Sequence, residues 1–148
     1  MTSEPQPLNT PAGRILGIDY GSERVGVAVS DPLATIARPV GVFRNDQSLF
    51  SKLETAAKDY AVRLIVVGMP LTLRGDRSQK AREVDDFIGR LHEALGIEIR
   101  TVDERFTSTI ARQTMLMMGT TKKQRREKGR IDEMAAALIL QDYLDSKH

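Results

Sequence analysis

Acidic residues stand at the ends of three strongly patterned segments: Asp19 after Leu16-Gly17-Ile18, the neighbours Asp103 and Glu104 after Thr101-Val102, and the neighbours Asp132 and Glu133 ahead of Met134-Ala135-Ala136-Ala137. Carboxylates that meet in a fold repel one another unless divalent cations bridge them. A bridged cluster beside a basic segment is a common arrangement for cutting phosphodiesters. Other chemistries are poorly supplied. With no cysteine, the chain has no disulfide, no thiolate nucleophile and no Cys-ligated zinc, which fits a reducing compartment. Its two histidines are His92, inside a predicted helix, and His148, the last residue, which argues against a histidine base or a His-rich metal site.

The basic character is concentrated. Formal net charge is only +2, yet Lys122, Lys123, Arg125, Arg126, Lys128 and Arg130 follow one another with Glu127 as the sole intervening acid, so the rest of the chain is net acidic. Such a run is either a solvated loop or a contact for an anionic polymer, and its place just before Asp132 favours the second.

Elements that could position these residues follow from apolar periodicity. Residues 1–13 contain Pro5, Pro7 and Pro11 without periodicity and read as a disordered tail, leaving 14–148 as a single domain. No run reaches the ~20 apolar residues needed to cross a bilayer, and the tail lacks the apolar centre of a signal peptide, so a cytoplasmic, soluble protein with no membrane partner is expected. Arg14–Tyr20 and Arg24–Ser30 read as antiparallel strands joined by Gly21-Ser22-Glu23, and Ile36–Phe43 as a third strand at an edge, where Pro39 is tolerated. A helix over Gln47–Tyr60 precedes Leu64-Ile65-Val66-Val67-Gly68, an unbroken apolar strand of the parallel kind. Ser78 to Leu95 forms a second helix stopped by Gly96, and Ile97–Val102 a fifth strand. Thr107 or Ser108 caps a helix to Gly119 in which Met115, Met117 and Met118 fill core space, and Ile131–Leu144 forms the last helix.

These elements predict an α/β fold with a five-stranded mixed sheet flanked by helices: three antiparallel strands first, then strands one, four and five side by side and parallel. Asp19, Gly68-Met69-Pro70 and one of Asp103 and Glu104 would then share the carboxyl edge, where open α/β sheets bind ligands. Alternation sends Asp103 and Glu104 to opposite faces without saying which joins Asp19. Asp132 shares a helical face with Ala135, Ala136, Ile139 and Tyr143, opposite a polar stripe of Gln141, Asp142 and Asp145, and Glu133 flanks that face. Bland alternatives stand beside each residue: a turn cap or an Arg24 ion pair for Asp19, a surface pair for Arg105, and helix-dipole compensation for Asp132.

Gly17-Ile18-Asp19-Tyr20-Gly21-Ser22-Glu23-Arg24-Val25-Gly26-Val27-Ala28, Val66-Val67-Gly68-Met69-Pro70-Leu71, Asp103-Glu104-Arg105-Phe106-Thr107 and Ile131-Asp132-Glu133-Met134-Ala135-Ala136 occur in this order. With these four motifs the chain, over about Arg14 to Leu144, resembles the YqgF (RuvX) family of RNase H-like proteins, described as Holliday junction resolvases and as pre-16S ribosomal RNA nucleases. The resemblance implies an RNase H-like fold and an acidic site made of Asp19, Glu104 and Asp132. It also implies two Mg2+ or Mn2+ ions about 4 Å apart, which supply an activated water and stabilise the leaving oxygen. One departure is visible. Family members often carry an asparagine and an acidic-glycine turn after Gly-x-Pro, where this chain has Thr72, Leu73, Arg74 and Gly75.

The implied activity is hydrolysis of phosphodiester bonds, maturing the 5′ end of precursor 16S rRNA on pre-ribosomal particles, with Lys122, Lys123, Arg125, Arg126, Lys128, Arg130 and Arg105 contacting structured RNA. Alternatives are a Holliday junction resolvase acting on branched DNA as a two-fold dimer, or a non-catalytic RNA-binding ribosome-assembly factor; monomer and homodimer both remain open. Gly-Ile-Asp-x-Gly before a hairpin also opens sugar kinases and actin-like ATPases, but 148 residues leave no room for their second lobe.

Overall fold

The computed structural model describes residues 13–71, 77–104 and 128–147; the side chains of 128–133 are outside that description. Several expectations therefore fall outside it: the tail, the loop at Thr72–Gly75, the helix from Thr107 to Gly119 with its methionines, and Arg105, Lys122, Lys123, Arg125 and Arg126.

Apolar runs become the central strands. β1 (Arg14–Asp19) and β2 (Arg24–Ser30) are antiparallel, and β3 (Ala37–Arg44) continues the meander to the edge. Pro39 lies on β3 beside a register shift at Val27 and Ala28, which suits a residue with no N–H to donate. After helix α1 (Leu49–Asp59), β4 (Val62–Met69) inserts parallel to β1. Helix α2 (Gln79–Leu95) begins at Ser78, whose hydroxyl accepts a bond from the Ala81 N–H at 3.3 Å, and ends at Gly96 in the left-handed conformation. β5 (Glu98–Asp103) pairs parallel with β4, giving the order β3-β2-β1-β4-β5. Helix α3 (Lys128–Ser146) completes the described fold. The mixed sheet with parallel strands one, four and five is the one expected, and β4 is buried over its last six residues.

Two apolar layers sandwich the sheet. On one face Leu16, Ile18, Val25, Val27, Ile65 and Val67 pack with Leu49, Leu53, Val84, Phe87 and Leu91 of α1 and α2. On the other, Ile15, Ala28, Leu64 and Val66 pack with Ala136, Ile139, Leu140 and Leu144 of α3. Burial of both faces explains why the central strands lack polar alternation.

Two details of α3 go beyond the sequence reading. The described helix includes Lys128 to Arg130, ahead of Ile131; apolar periodicity begins at Ile131, but Lys and Arg extend a helix without contributing to an apolar face. Gln141, which donates to Asp145 Oδ1 at 3.0 Å on the polar stripe, also reaches the main chain of another element. Its Oε1 accepts from the Ala37 N–H at 2.9 Å and its Nε2 donates to the Thr35 carbonyl at 3.0 Å, binding α3 to the start of β3. Such a bond to main-chain groups one hundred residues away leaves no trace in local periodicity. Among the described residues no helix is long and apolar enough to cross a membrane.

Candidate active site

β1, β4 and β5 are parallel and therefore present their carboxyl ends along one edge. Ile18 registers with Val67, and Gly68 with Val102, so Asp19 and Glu104, each one or two residues further on, flank Gly68 from either side. Alternation decides the face. Gly17 lies against α3, since a Cβ there would stand 2.6 Å from Leu140 Cβ and 3.1 Å from the Ala136 carbonyl oxygen. Asp19, two residues later, takes the same face.

Glu104 reaches that face too. It directly follows β5, and its side chain folds over Gly68: a Cβ at residue 68 would meet Glu104 Cγ and Cδ at 3.1 Å and Ile139 Cδ1 at 2.6 Å. Gly68 is thus a cradle that the first carbon of any other side chain would fill. The sequence reading placed Gly68 on this edge but missed why it is glycine; the signal was an isolated glycine after Leu64-Ile65-Val66-Val67 near the end of a buried strand. Asp19 and Glu104 are both half-buried, unlike surface acids free to turn into water.

α3 runs antiparallel to β1. Ala136 abuts Gly17, while Tyr143, further along, accepts a bond at 2.8 Å from Arg100 Nη1 on β5. Its first turns therefore lie toward the carboxyl edge. Residue 132 is four positions, about 6 Å, before Ala136, and Asp19 is two strand residues, about 6.6 Å, beyond Gly17, so the backbone at 132 is level with Asp19. Of the expected site residues, the structure brings Asp19 and Glu104 onto one face, and it describes the backbone of Lys128, Arg130 and Asp132 in α3. Among the described residues no three acidic, histidine or cysteine side chains are grouped so as to hold a metal ion, and the side chain of Asp132 is not among those described.

The opposite end is held by polar pairs with no part in this edge. Arg100 binds Glu98 at 2.8 Å through Nε and Tyr143 through Nη1, and both contacts raise its guanidinium pKa.

The family model described as RuvX, Holliday junction resolvase, matches residues 13–146. A protein of Sulfurihydrogenibium sp. named "Putative pre-16S rRNA nuclease" is 46% identical over 134 residues, covering 89% of this chain and 90% of its own. A Chlorobaculum tepidum protein of the same name is 42% identical, covering 90% and 94%. Among solved structures, T. thermophilus RuvC in complex with a Holliday junction substrate superposes with a TM-score of 0.56 over 91% of this chain and 95% of that one, at 15% identity. That last likeness establishes a shared fold.

Proposed function

The chain belongs to the RuvX family of nucleases, and we propose that it is a metal-dependent nuclease that matures precursor 16S rRNA in the cytoplasm. The observation that carries the catalytic part is Glu104 folded over Gly68 on the face and at the edge occupied by Asp19, where α3 begins. Asp132 is the third carboxylate, contributed from the first turns of α3. The donor set fits the expected ions: carboxylate oxygens suit Mg2+ or Mn2+, and the missing Cβ at Gly68 keeps space beside the Glu104 carboxyl group. Asp19, Glu104 and Asp132 would hold the cations, which supply a nucleophilic water and charge neutralisation at the phosphate.

The chain's own residues do the positioning. Asp19 is fixed by a strand paired on both sides, and Glu104 by its seat against Gly68 and Ile139. Lys122, Lys123, Arg125, Arg126, Lys128, Arg130 and Arg105 supply phosphate contacts that hold RNA over the site. Support for ribosomal RNA as substrate is the name shared by relatives at 46% and 42% identity. The family description favours a second reading, cleavage of four-way DNA junctions.

Purified protein offered precursor 16S rRNA and a four-way DNA junction with Mg2+ or Mn2+ tests both. Precursor cleavage that disappears in Asp19→Asn, Glu104→Gln and Asp132→Asn, with RNA binding kept, is the expected result. Symmetric junction cleavage by the same carboxylates, with the RNA left intact, would replace the substrate.

A further inference from the structure

Three cations surround a cleft at the end of the sheet away from Asp19 and Glu104. About 300 Å3 in volume, it lies where β1, β4 and β5 begin and α3 ends. Its floor is apolar, made of Ile15, Leu64 and Leu144 from the layer under α3. Ile15 is four strand residues, about 13 Å, from Asp19, so the cleft is separate from the carboxylate edge. Each cation is held by a contact of its own. Arg100 donates through Nε to Glu98 and through Nη1 to Tyr143, both at 2.8 Å, and Arg63 donates through Nε to the Gly13 carbonyl at 3.1 Å. The Lys147 ammonium stands 5.3 Å from the centre of the Tyr143 ring. Guanidiniums fixed in this way keep further N–H donors for an anion, and they lose little side-chain freedom on binding it.

Charge selects the ligand. Three cations against Glu98 give the lining a net charge of about +2, and the carboxyl end of α3 subtracts roughly half a unit. A carboxylate supplies a single negative charge, whereas a phosphate monoester carries about −1.5 to −2 at neutral pH. A bare ion would leave the apolar floor uncovered; the base and sugar of a nucleotide cover it. Asp142 and Asp145 line the neighbouring groove beyond Tyr143, which directs the phosphate toward Arg63 and Arg100.

We propose that this cleft binds a nucleoside 5′-phosphate, with the phosphate on Arg63, Arg100 and Lys147 and the nucleoside over Ile15, Leu64 and Leu144. Charge-assisted bonds from two arginines and a lysine supply the grip, and burial of the base adds to it. The same chemistry occurs in a free nucleotide and at a 5′-phosphorylated RNA end. Neither needs the carboxylates, so the site stands apart from the proposed catalytic edge.

The test is isothermal titration calorimetry of the full chain with adenosine 5′-monophosphate, in EDTA so that no metal contributes. Binding is expected to exceed that of adenosine, which lacks the charge, and that of inorganic phosphate, which lacks the apolar part. Arg63→Gln and Lys147→Gln, both at exposed positions, should each weaken the monophosphate about three- to thirtyfold. An RNA oligonucleotide that binds more tightly with a 5′-phosphate than with a 5′-hydroxyl, and loses that preference in the same variants, assigns the site to RNA ends. Monophosphate binding with no such preference assigns it to free nucleotides. No binding of the monophosphate together with no preference between the oligonucleotides overturns the proposal, and so does affinity unchanged in both folded variants or equalled by adenosine or phosphate alone. Such a failure leaves the carboxylate reading standing, because cleavage is measured separately with Mg2+.

Discussion

One sheet serves two unlike faces. Against α1 and α2 the strands present large apolar side chains, and Phe87 closes the layer by meeting Tyr20 at 4.4 Å and Phe50 at 5.8 Å between ring centroids. Against α3 the strands thin to Gly17 and Gly68, the helix comes in close, and the rows end in Asp19 and Glu104. Neighbouring residues of one strand therefore have opposite duties: Ile18 is fully buried in the first layer while Asp19 reaches the proposed site on the second. Rigidity on one side suits the proposed site on the other, where half-buried acids share one face.

The sharpest way to break this comparison is to damage each face in turn. Asp19→Asn should reduce cleavage by more than about 100-fold with an unchanged melting temperature. Phe87→Ala should leave the carboxylates intact but lower stability by about 3–5 kcal/mol, measured by urea unfolding. A variant of either kind that produced the other's effect would show that the faces are not separate in function.

The two glycines refine the point. Gly68→Ala pushes a methyl toward Ile139 Cδ1 and the Glu104 side chain, and should lose activity well beyond what its stability loss of about 1–2 kcal/mol explains. Gly17→Ala meets Leu140 Cβ and then the Ala136 carbonyl, atoms fixed by the α3 backbone that cannot swing aside, so its loss of about 1–3 kcal/mol should be mainly structural. Comparing melting temperature with kcat for both variants separates a cradle from a packing contact.

The smallest effect lies away from both faces. Asp31 organises the β2–β3 loop by accepting from the Leu33, Thr35 and Ile36 N–H groups and the Thr35 hydroxyl. Desolvation alone would raise its pKa, but these bonds outweigh it and hold the carboxyl down at about 2, from 3.8. A folded-state pKa below the unfolded one stabilises above pH 3.8, and that contribution is lost as pH falls from 3.8 through 2. Asp31→Asn should therefore be slightly less stable at neutral pH and equal to the parent near pH 2, read from melting curves across that range.

Much of this was legible in the sequence because its signals are periodic. The apolar runs at Ile15–Ile18 and Leu64–Val67 gave the central strands, right-handed crossover gave their order, and together these put Asp19 and Gly68 on one edge. Strand alternation could not choose between Asp103 and Glu104, and the observation that favours Glu104, its side chain lying over Gly68, is a tertiary contact between separate strands. The further partners of Gln141 at Thr35 and Ala37 were hidden for a related reason, since they are visible only once α3 lies across the sheet.

The central claim is that Asp19, Glu104 and Asp132 converge to hold divalent cations. Anomalous diffraction from crystals soaked in Mn2+ tests it most directly. The account predicts one or two peaks beside Gly68, within about 2.0–2.6 Å of carboxylate oxygens from all three residues. Peaks confined to other surfaces, in a crystal form whose protein still cleaves RNA, would contradict it.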